Sequence, residues 1–332
     1  MGGDDLKLYP RKICGEAPGW HSAANFFVGK ILVNLKPVVG PKNHNQSDQI
    51  LATTLKRNKM NNSNHTEQAF VTRATDAELY DQYLGPMFFE PYAIEISNRL
   101  ESSSVGLALE LAAGTGRVTR HLRQCLLPSA KLIASDISAD MLEVAKEKLK
   151  DENINWQIID AQDLPFEPNS IDLVVCCFGL MFVPDRQKAV AEAYRVLKPG
   201  GMFIFSTWDK LETVGASSVY RNIIRPYLTD NVPASYDLPT SMHDESIIKP
   251  LLQKAGFSKI SIEKVNKQSY CSSAKVAAEG LTMRGAIYHD IMSRHPEAIE
   301  EIKSLVEKEL SEKYGAAPMV APMSAVISQG WK

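Results

Sequence analysis

The sequence has no apolar run near the ~18–20 residues that a membrane-spanning helix needs, so no membrane span is expected. Cysteine is sparse, with five in 332 residues. Cys14, Cys125, Cys176, Cys177 and Cys271 form neither a C-x-x-C pair nor a zinc spacing. That excludes a disulfide framework and any evident metal site, and fits reduced thiols in the cytoplasm. Cys176 and Cys177 lie inside an apolar stretch and read as packing residues. No charge sign dominates: 37 Lys and Arg stand against 39 Asp and Glu, a net charge of −2. Residues 1–59 hold nine basic residues against four acids, a surplus of five, so the remaining chain carries −7. An acidic body disfavours nucleic acid as a partner. No secretory signal is expected either, because "FFVGKILVNL" is interrupted by Lys30 and lies too far in. Asp4, Asp5 and Glu16 come too early for a mitochondrial presequence. No internal repeat is evident.

What remains is an ordinary globular composition, 44% hydrophobic and 23% charged. Residues 1–65 mix Gly, Pro, Asn and Lys without periodicity and read as a poorly ordered extension, with a short element near 22–35. Met60 offers an alternative start, so residues 1–59 are either an upstream start-codon assignment or a flexible tail. Residues 66–332 read as one domain, with a core at 100–265, helical cover at 70–100 and 210–243, and C-terminal helices and a last strand at 266–332. The apolar spacing predicts two helices within 76–100, broken near Gly85-Pro86. Strands at 105–111, 131–136, 154–160, 170–180 and 202–208 alternate with helices at 116–127, 138–150 and 185–197. Continuous apolar strands alternating with helices indicate a parallel sheet covered on both faces. A helical insert near 214–229 follows, then a Pro-rich loop at 231–240, a helix at 244–257, a strand at 258–265 and helices near 273–291 and 296–314. Residues 319–330 read as a last strand, whose Pro322 argues against a central position unless it stands at a bulge or a strand start.

The chemistry concentrates in "LELAAGTGRVTR", residues 109–120. An apolar strand ends in Glu110, and a loop with Gly114 and Gly116 leads into a helix. Glycines let a ligand approach the backbone at a helix N-terminus. As a dinucleotide fingerprint the loop fails, since its third glycine position falls on Thr119. Glu110 would also repel a pyrophosphate. A carboxylate there suits a cationic nucleoside without phosphates, and the sulfonium and amino groups of S-adenosylmethionine meet that description. A second acid should then end the next strand, where it can accept from both ribose hydroxyls. Asp136 stands there, 20 residues after Gly116.

With these residues the sequence resembles the class I S-adenosylmethionine-dependent methyltransferases, in particular the group that includes quinone-biosynthesis methyltransferases. The resemblance covers roughly 75–265. The family's acid–glycine motif reads Glu110-Leu-Ala-Ala-Gly-Thr-Gly here, with Ala112 in place of the first glycine. "DAQDLPFEPNSIDLVV", "CCFGLMFVPD" and "EAYRVLKPGG" match the later motifs. The resemblance implies a Rossmann-like α/β fold with a mostly parallel seven-stranded sheet, and S-adenosylmethionine as cofactor. It implies cofactor contacts from Glu110, Ala112, Gly114, Thr115 and Gly116. Asp136, Ile137 and Met141 would serve the ribose and adenine, Asp160, Ala161 and Gln162 the adenine edge, and Cys177 and Phe178 would lie nearby.

Tyr80, Tyr83, Phe88, Phe89 and Tyr92 form an aromatic group ahead of the sheet. In the resembling family, helices here cover the pocket, so Tyr83 and Phe88 are lid or substrate candidates, with His243 a third. His121 is expected to face solvent, and no histidine is assigned as a general base. Displacement at an activated sulfonium needs alignment and exclusion of water more than an acid–base pair. The expected activity is methyl transfer to a small-molecule acceptor, a phenol, quinone precursor or lipid-like molecule. The alternatives are an RNA or protein methyltransferase, or a non-catalytic nucleoside-binding scaffold. The oligomeric state is left open.

Overall fold

Runs such as Leu107–Leu111 and Ile171–Cys177 carry apolar side chains on both faces, which only a strand covered on both sides tolerates. The computed structural model describes residues 75–332, apart from 102, 103, 151, 229–231, 233–235 and 284. The extension expected over 1–65 lies outside the described residues, as does part of the 231–240 loop. The strands are β1 (Leu107–Leu111), β2 (Lys131–Asp136), β3 (Asn155–Ile158), β4 (Ile171–Cys177), β5 (Leu197–Trp208), β6 (Lys259–Cys271) and β7 (Met319–Trp331). They form one seven-stranded sheet in the order β3-β2-β1-β4-β5-β7-β6. β1 to β5 pair in parallel, and β7 runs antiparallel to both its neighbours. This is the mostly parallel, helix-flanked sheet anticipated from the sequence.

The region expected to hold two helices is one continuous helix, α1. It is α-helical over Asp76–Leu79, π-helical over Tyr80–Phe89 and α-helical again over Glu90–Asn98. Pro86 lies inside it without breaking it. In an α-helix the proline ring would strike the carbonyl four residues earlier. The wider π turn moves the bonding partner to five residues back, as where the Glu90 N–H donates to the Gly85 carbonyl. Gly85 is a contact rather than a break. A Cβ there would stand 2.5 Å from the Arg117 guanidinium. Thr75 starts α1 with a reciprocal cap, its hydroxyl accepting from the Glu78 N–H while Glu78 accepts from the Thr75 N–H.

Helices α2 (Arg117–Cys125), α3 (Ala139–Lys148) and α4 (Arg186–Val196) connect the parallel strands. α5 (Gly215–Ile224) and α6 (Glu245–Ala255) follow β5, and α7 (Ala274–Thr282), α8 (Gly285–Arg294) and α9 (Ile299–Tyr314) precede β7. Three helices thus replace the two expected after 273. The chain turns at Gly285, whose φ of 80° suits glycine. β5 begins at Leu197 rather than near 202. Ile171 pairs with Leu197 and Leu173 with Met202, so the Lys198-Pro199-Gly200-Gly201 turn is a bulge within the strand.

β7 occupies an interior place despite Pro322. β5 reaches only as far as Ala325, opposite Trp208, whereas β6 pairs on to Met319. At Pro322 one edge of β7 therefore has no β5 neighbour, and a missing N–H is tolerated there. The same extension carries β6 six residues past its expected end at 265.

Candidate functional site

The strand order reverses between β2-β1 and β4-β5, which opens a crevice at the C-terminal ends of β1 and β4. Glu110 is the penultimate residue of β1, paired with Ala134 on one side and Val175 on the other. It is 1% exposed. Its Oε2 is buried without a hydrogen-bond partner, as is Oγ1 of nearby Thr119. Burial pushes the carboxyl up to about 8, and the Asp136 carboxylate adds to the rise, while Thr119 opposes it.

The chain then turns through three left-handed residues, Ala112 (φ 53°), Gly114 (φ 55°) and Gly116 (φ 78°). Ala112 has no glycine's freedom, and its conformation costs about 1 kcal/mol. Gly179 makes room for its methyl: a Cβ on Gly179 would fall 2.2 Å from the Ala112 Cβ. Gly114 faces open space, with no atom within 4 Å of where a Cβ would stand. Gly116 instead packs against Leu149, Ala145 and Trp156. Asp136 ties the loop to the end of β2. Its Oδ2 accepts from the Gly114 N–H at 2.8 Å and its Oδ1 from the Ser138 N–H at 2.9 Å.

A small cavity of about 40 Å³ lies over this loop. Of the residues expected at the cofactor, Glu110, Ala112, Gly114, Thr115, Cys177 and Phe178 line it, together with Tyr80 and Phe89 of α1. Gly116, Asp136, Ile137, Met141, Asp160, Ala161 and Gln162 do not. Ile137 is 70% exposed beside Asp136. Met141, Asp160, Ala161 and Gln162 are half-buried. Asp160 accepts from the backbone and side-chain amides of Gln162, which hold its carboxyl below the usual carboxylate range. The thiol of Cys177 is pushed up by burial, which makes it a poor nucleophile.

A larger cavity of about 310 Å³ adjoins the first and shares Tyr80, Phe89 and Phe178 with it. Phe88, Trp208, Val214, Tyr220, Arg221 and Tyr236 contribute to its wall, and half-exposed Phe182 also lines it. Phe178 has φ 54°, unusual for an aromatic residue. Its ring stacks on Trp208 with centroids 4.1 Å apart and meets Phe89 edge-on at 5.4 Å. These contacts offset the backbone strain.

α1 is held down over the loop by charge. The Asp81 carboxylate accepts from the Thr115 hydroxyl at 2.8 Å, from Arg117 Nη2 at 3.1 Å and from Lys148 Nζ at 2.5 Å. Burial works to raise the Asp81 carboxyl, but Lys148, Arg117 and Thr115 outweigh it and hold it below the usual range. Glu90 takes Arg117 at 2.9 Å, Arg120 at 2.6 Å and His121 at 2.8 Å. Its carboxyl is lowered to about 2, because His121, Arg117 and Arg120 together overcome its burial.

Three expectations change here. Tyr83 lines neither cavity and packs on Gly280, where a Cβ would come within 2.5 Å of the Tyr83 Cβ. Tyr80 and Phe89 stand at the pocket instead, because the π turn shifts which residues of α1 face the sheet. His243 also lines neither cavity, and its Nδ1 lies 2.8 Å from the Thr240 carbonyl. His121 does not face solvent but is drawn in against Glu90. Phe88, the remaining candidate, lines the large cavity. Sequence reasoning missed Trp208, Arg221 and Tyr236. The position of Trp208 at the C-terminal end of a parallel strand was the available signal for the first of them.

Among the described residues, no group of three or more His, Cys, Asp or Glu side chains could hold a metal ion. No described helix is long and apolar enough to cross a membrane. The profile of a family described as "Methyltransferase domain" matches residues 109–205. Ubiquinone/menaquinone biosynthesis C-methyltransferase UbiE of Stutzerimonas stutzeri is 30% identical over 184 residues, which are 51% of this chain and 71% of that protein. Its counterpart in Legionella pneumophila (strain Lens) is 35% identical over 180 residues, 50% of this chain and 71% of that one. Among solved structures, Haemonchus contortus phosphoethanolamine N-methyltransferase 2, in complex with phosphomonomethylethanolamine and S-adenosylhomocysteine, superposes with a TM-score of 0.50 at 20% identity. That likeness covers 79% of this chain and 59% of the other, and it bears on the fold alone. By its matched domain and by the extent of its likeness to the UbiE enzymes, the chain belongs to the class I S-adenosylmethionine-dependent methyltransferases.

Proposed function

We propose that this methyltransferase acts on a small aromatic acceptor of the phenol or quinone-precursor class. The observation that carries the reading is the 310 Å³ cavity, whose described lining includes eight aromatic side chains and which shares Tyr80, Phe89 and Phe178 with the cavity over the glycine loop. Its volume is at the lower end of small-molecule sites, suited to one or two rings with short substituents. The names of the UbiE relatives, which refer to quinone C-methylation, support the same class.

The residues of the loop region fit S-adenosylmethionine. Glu110 holds a buried carboxyl oxygen without a partner, Gly114 leaves bare backbone, and each Asp136 oxygen keeps a spare lone pair. Glu110 would face the cationic end, Asp136 the ribose diol, and Ile137 and Met141 the adenine, with Asp160, Ala161 and Gln162 at its edge. Ala112, Thr115 and Gly116 shape the loop, and Cys177 and Phe178 close it from β4. The cofactor supplies an activated methyl group on sulfur. The chain's part is to align the acceptor, exclude water with α1 and the Phe178–Trp208 stack, and keep the loop fixed through Asp136. As the new bond to the methyl forms, the bond to sulfur breaks and its electron pair stays on sulfur. A phenolic or ring-carbon acceptor also gives up a proton. The large cavity has no carboxylate or imidazole among its described lining residues, so that proton passes to solvent or is lost before binding.

Calorimetric titration with S-adenosylmethionine and S-adenosylhomocysteine tests the assignment, with Asp136→Ala and Glu110→Ala alongside. The expected result is micromolar binding, weakened tenfold or more by each change, about 1.4 kcal/mol. Release of S-adenosylhomocysteine with phenols and hydroquinones, but not with long-chain lipids, would then support the acceptor class. A folded wild-type protein that binds neither nucleoside would refute the assignment of this site.

A further inference from the structure

Among the described residues, the wall of the large cavity carries one formal charge, Arg221, and no acidic side chain of that lining balances it. Arg221 lies on α5, on the same face as Val214, Ser217 and Tyr220, all of which line the cavity. It is 6% exposed. Its guanidinium lies 4.1 Å over the Tyr236 ring, and the Tyr236 hydroxyl donates to the Arg221 carbonyl at 3.0 Å, so the group is held in place. Nη2 donates to the Tyr236 carbonyl and to Asp237 Oδ1 at 3.1 Å, and Nη1 reaches Thr240 Oγ1 only at 3.5 Å. Nε is buried with no partner among the described residues.

The pairing is lopsided. The Asp237 side chain is 83% exposed while that of Arg221 is 7% exposed. A carboxylate in water is well solvated and compensates a buried cation weakly. No Asp, Glu, Lys or His is among the described residues lining the cavity. A buried guanidinium with an idle donor, in a site whose described lining is otherwise uncharged, is completed by an anion delivered with the ligand.

We propose that Arg221 is a specificity-determining residue that selects acceptors carrying a carboxylate on the ring, placed away from the methyl-accepting atom. Arg221 lies outside the wall that the two cavities share, so the charged substituent is held away from the reacting end. The proposal rests on the large cavity being the acceptor site, as argued above. A bystander arginine that merely ties α5 to residues 236–240 would show no preference between a charged ligand and a neutral one of equal shape.

The test uses matched pairs, 4-hydroxybenzoate with 4-hydroxybenzamide and 1-hydroxy-2-naphthoate with 1-hydroxy-2-naphthamide. They are titrated calorimetrically into the full chain near pH 7.5, with and without S-adenosylhomocysteine. Wild type is expected to bind a carboxylate at least tenfold more tightly than its amide. Arg221→Met should bring the pair within about twofold of each other, leaving S-adenosylhomocysteine affinity unchanged. Arg221→Lys, which keeps the charge but loses the planar fork, should retain part of the preference and guards against misfolding of the methionine variant. Equal affinities in wild type, an undiminished preference in Arg221→Met, or no binding by any of the four probes would each overturn the proposal. Failure of S-adenosylhomocysteine to bind would count against the cofactor-site assignment instead, since the pairs titrated alone still judge Arg221.

Discussion

Replacing Glu110 by glutamine isolates the energetic cost of a buried acid at the tip of β1. The carboxyl is raised from 4.5 to about 8, chiefly by burial. Below about pH 4.5 both the folded and unfolded chains hold the proton, and the group has no pH-linked effect. Between there and about pH 8 the unfolded chain releases it while the folded chain keeps it. Stability therefore falls as pH rises through that window. At about 1.36 kcal/mol per pH unit the cost grows to roughly 3 kcal/mol at pH 7 and on the order of 4–5 kcal/mol above pH 8. Glu110→Gln removes the titration but keeps the shape. Urea denaturation of both proteins at pH 5.5, 7.0 and 8.5 should show the variant's advantage rising by a few kcal/mol across the series. A stability difference that stays flat with pH would refute the reasoning, because a carboxyl with a buried, unpartnered oxygen cannot be pH-neutral. Ligand binding supplies a second readout. With its pKa raised to about 8, the Glu110 carboxyl is protonated at neutral pH, so a cation seated beside it should expel a proton. Calorimetry of S-adenosylmethionine in buffers of different ionisation enthalpy measures that release, which should drop to near zero in Glu110→Gln.

Gly179→Ala should destabilise the protein by about 2 kcal/mol or more through the clash with the Ala112 methyl. Adding Ala112→Gly should recover most of that loss, and a double-mutant thermal-unfolding cycle measures the coupling. Glu90 is depressed to about 2, so its contribution is fully present above about pH 4.5 and is lost as pH falls toward 2. Glu90→Gln should cost about 1–3 kcal/mol at pH 7 after solvent screening, and the gap to wild type should close on acid titration. Asp81→Asn removes the ion pairs that pin α1 to the glycine loop. Hydrogen exchange over residues 76–84 should quicken, and stopped-flow mixing should show faster association of S-adenosylhomocysteine. Unchanged exchange there would mean that packing, not charge, holds the lid.

The alternation of apolar strands and amphipathic helices from 107 to 208 was legible because each element carries its own period, and the acids at 110 and 136 stand at fixed distances from strand ends. Gly114 was readable as bare backbone for the same local reason. Pro322 and the Gly85-Pro86 pair misled because their usual penalties depend on neighbours. β7 lacks a β5 partner at Pro322, and the π turn takes Pro86 out of conflict. Tyr83 and Tyr80 are equally aromatic and three residues apart, and only the π register decides which faces the pocket. Arg221 could not be found from sequence at all, since its significance lies in separations of 15 and 16 residues from Tyr236 and Asp237 being closed by the fold, while Asp237 turns to water.

The parallel sheet, the glycine-loop unit and the pair of acids are encoded locally, because strand periodicity, left-handed turn positions and strand-end acids are each written in a few consecutive residues. Only packing leaves Glu110 Oε2 buried without a partner, permits Ala112 through Gly179, and brings Tyr80, Phe89, Phe178 and Trp208 into one wall. Burial, steric complementarity and the balance of charge depend on residues far apart in the chain, and they take their values only once packing has brought those residues together.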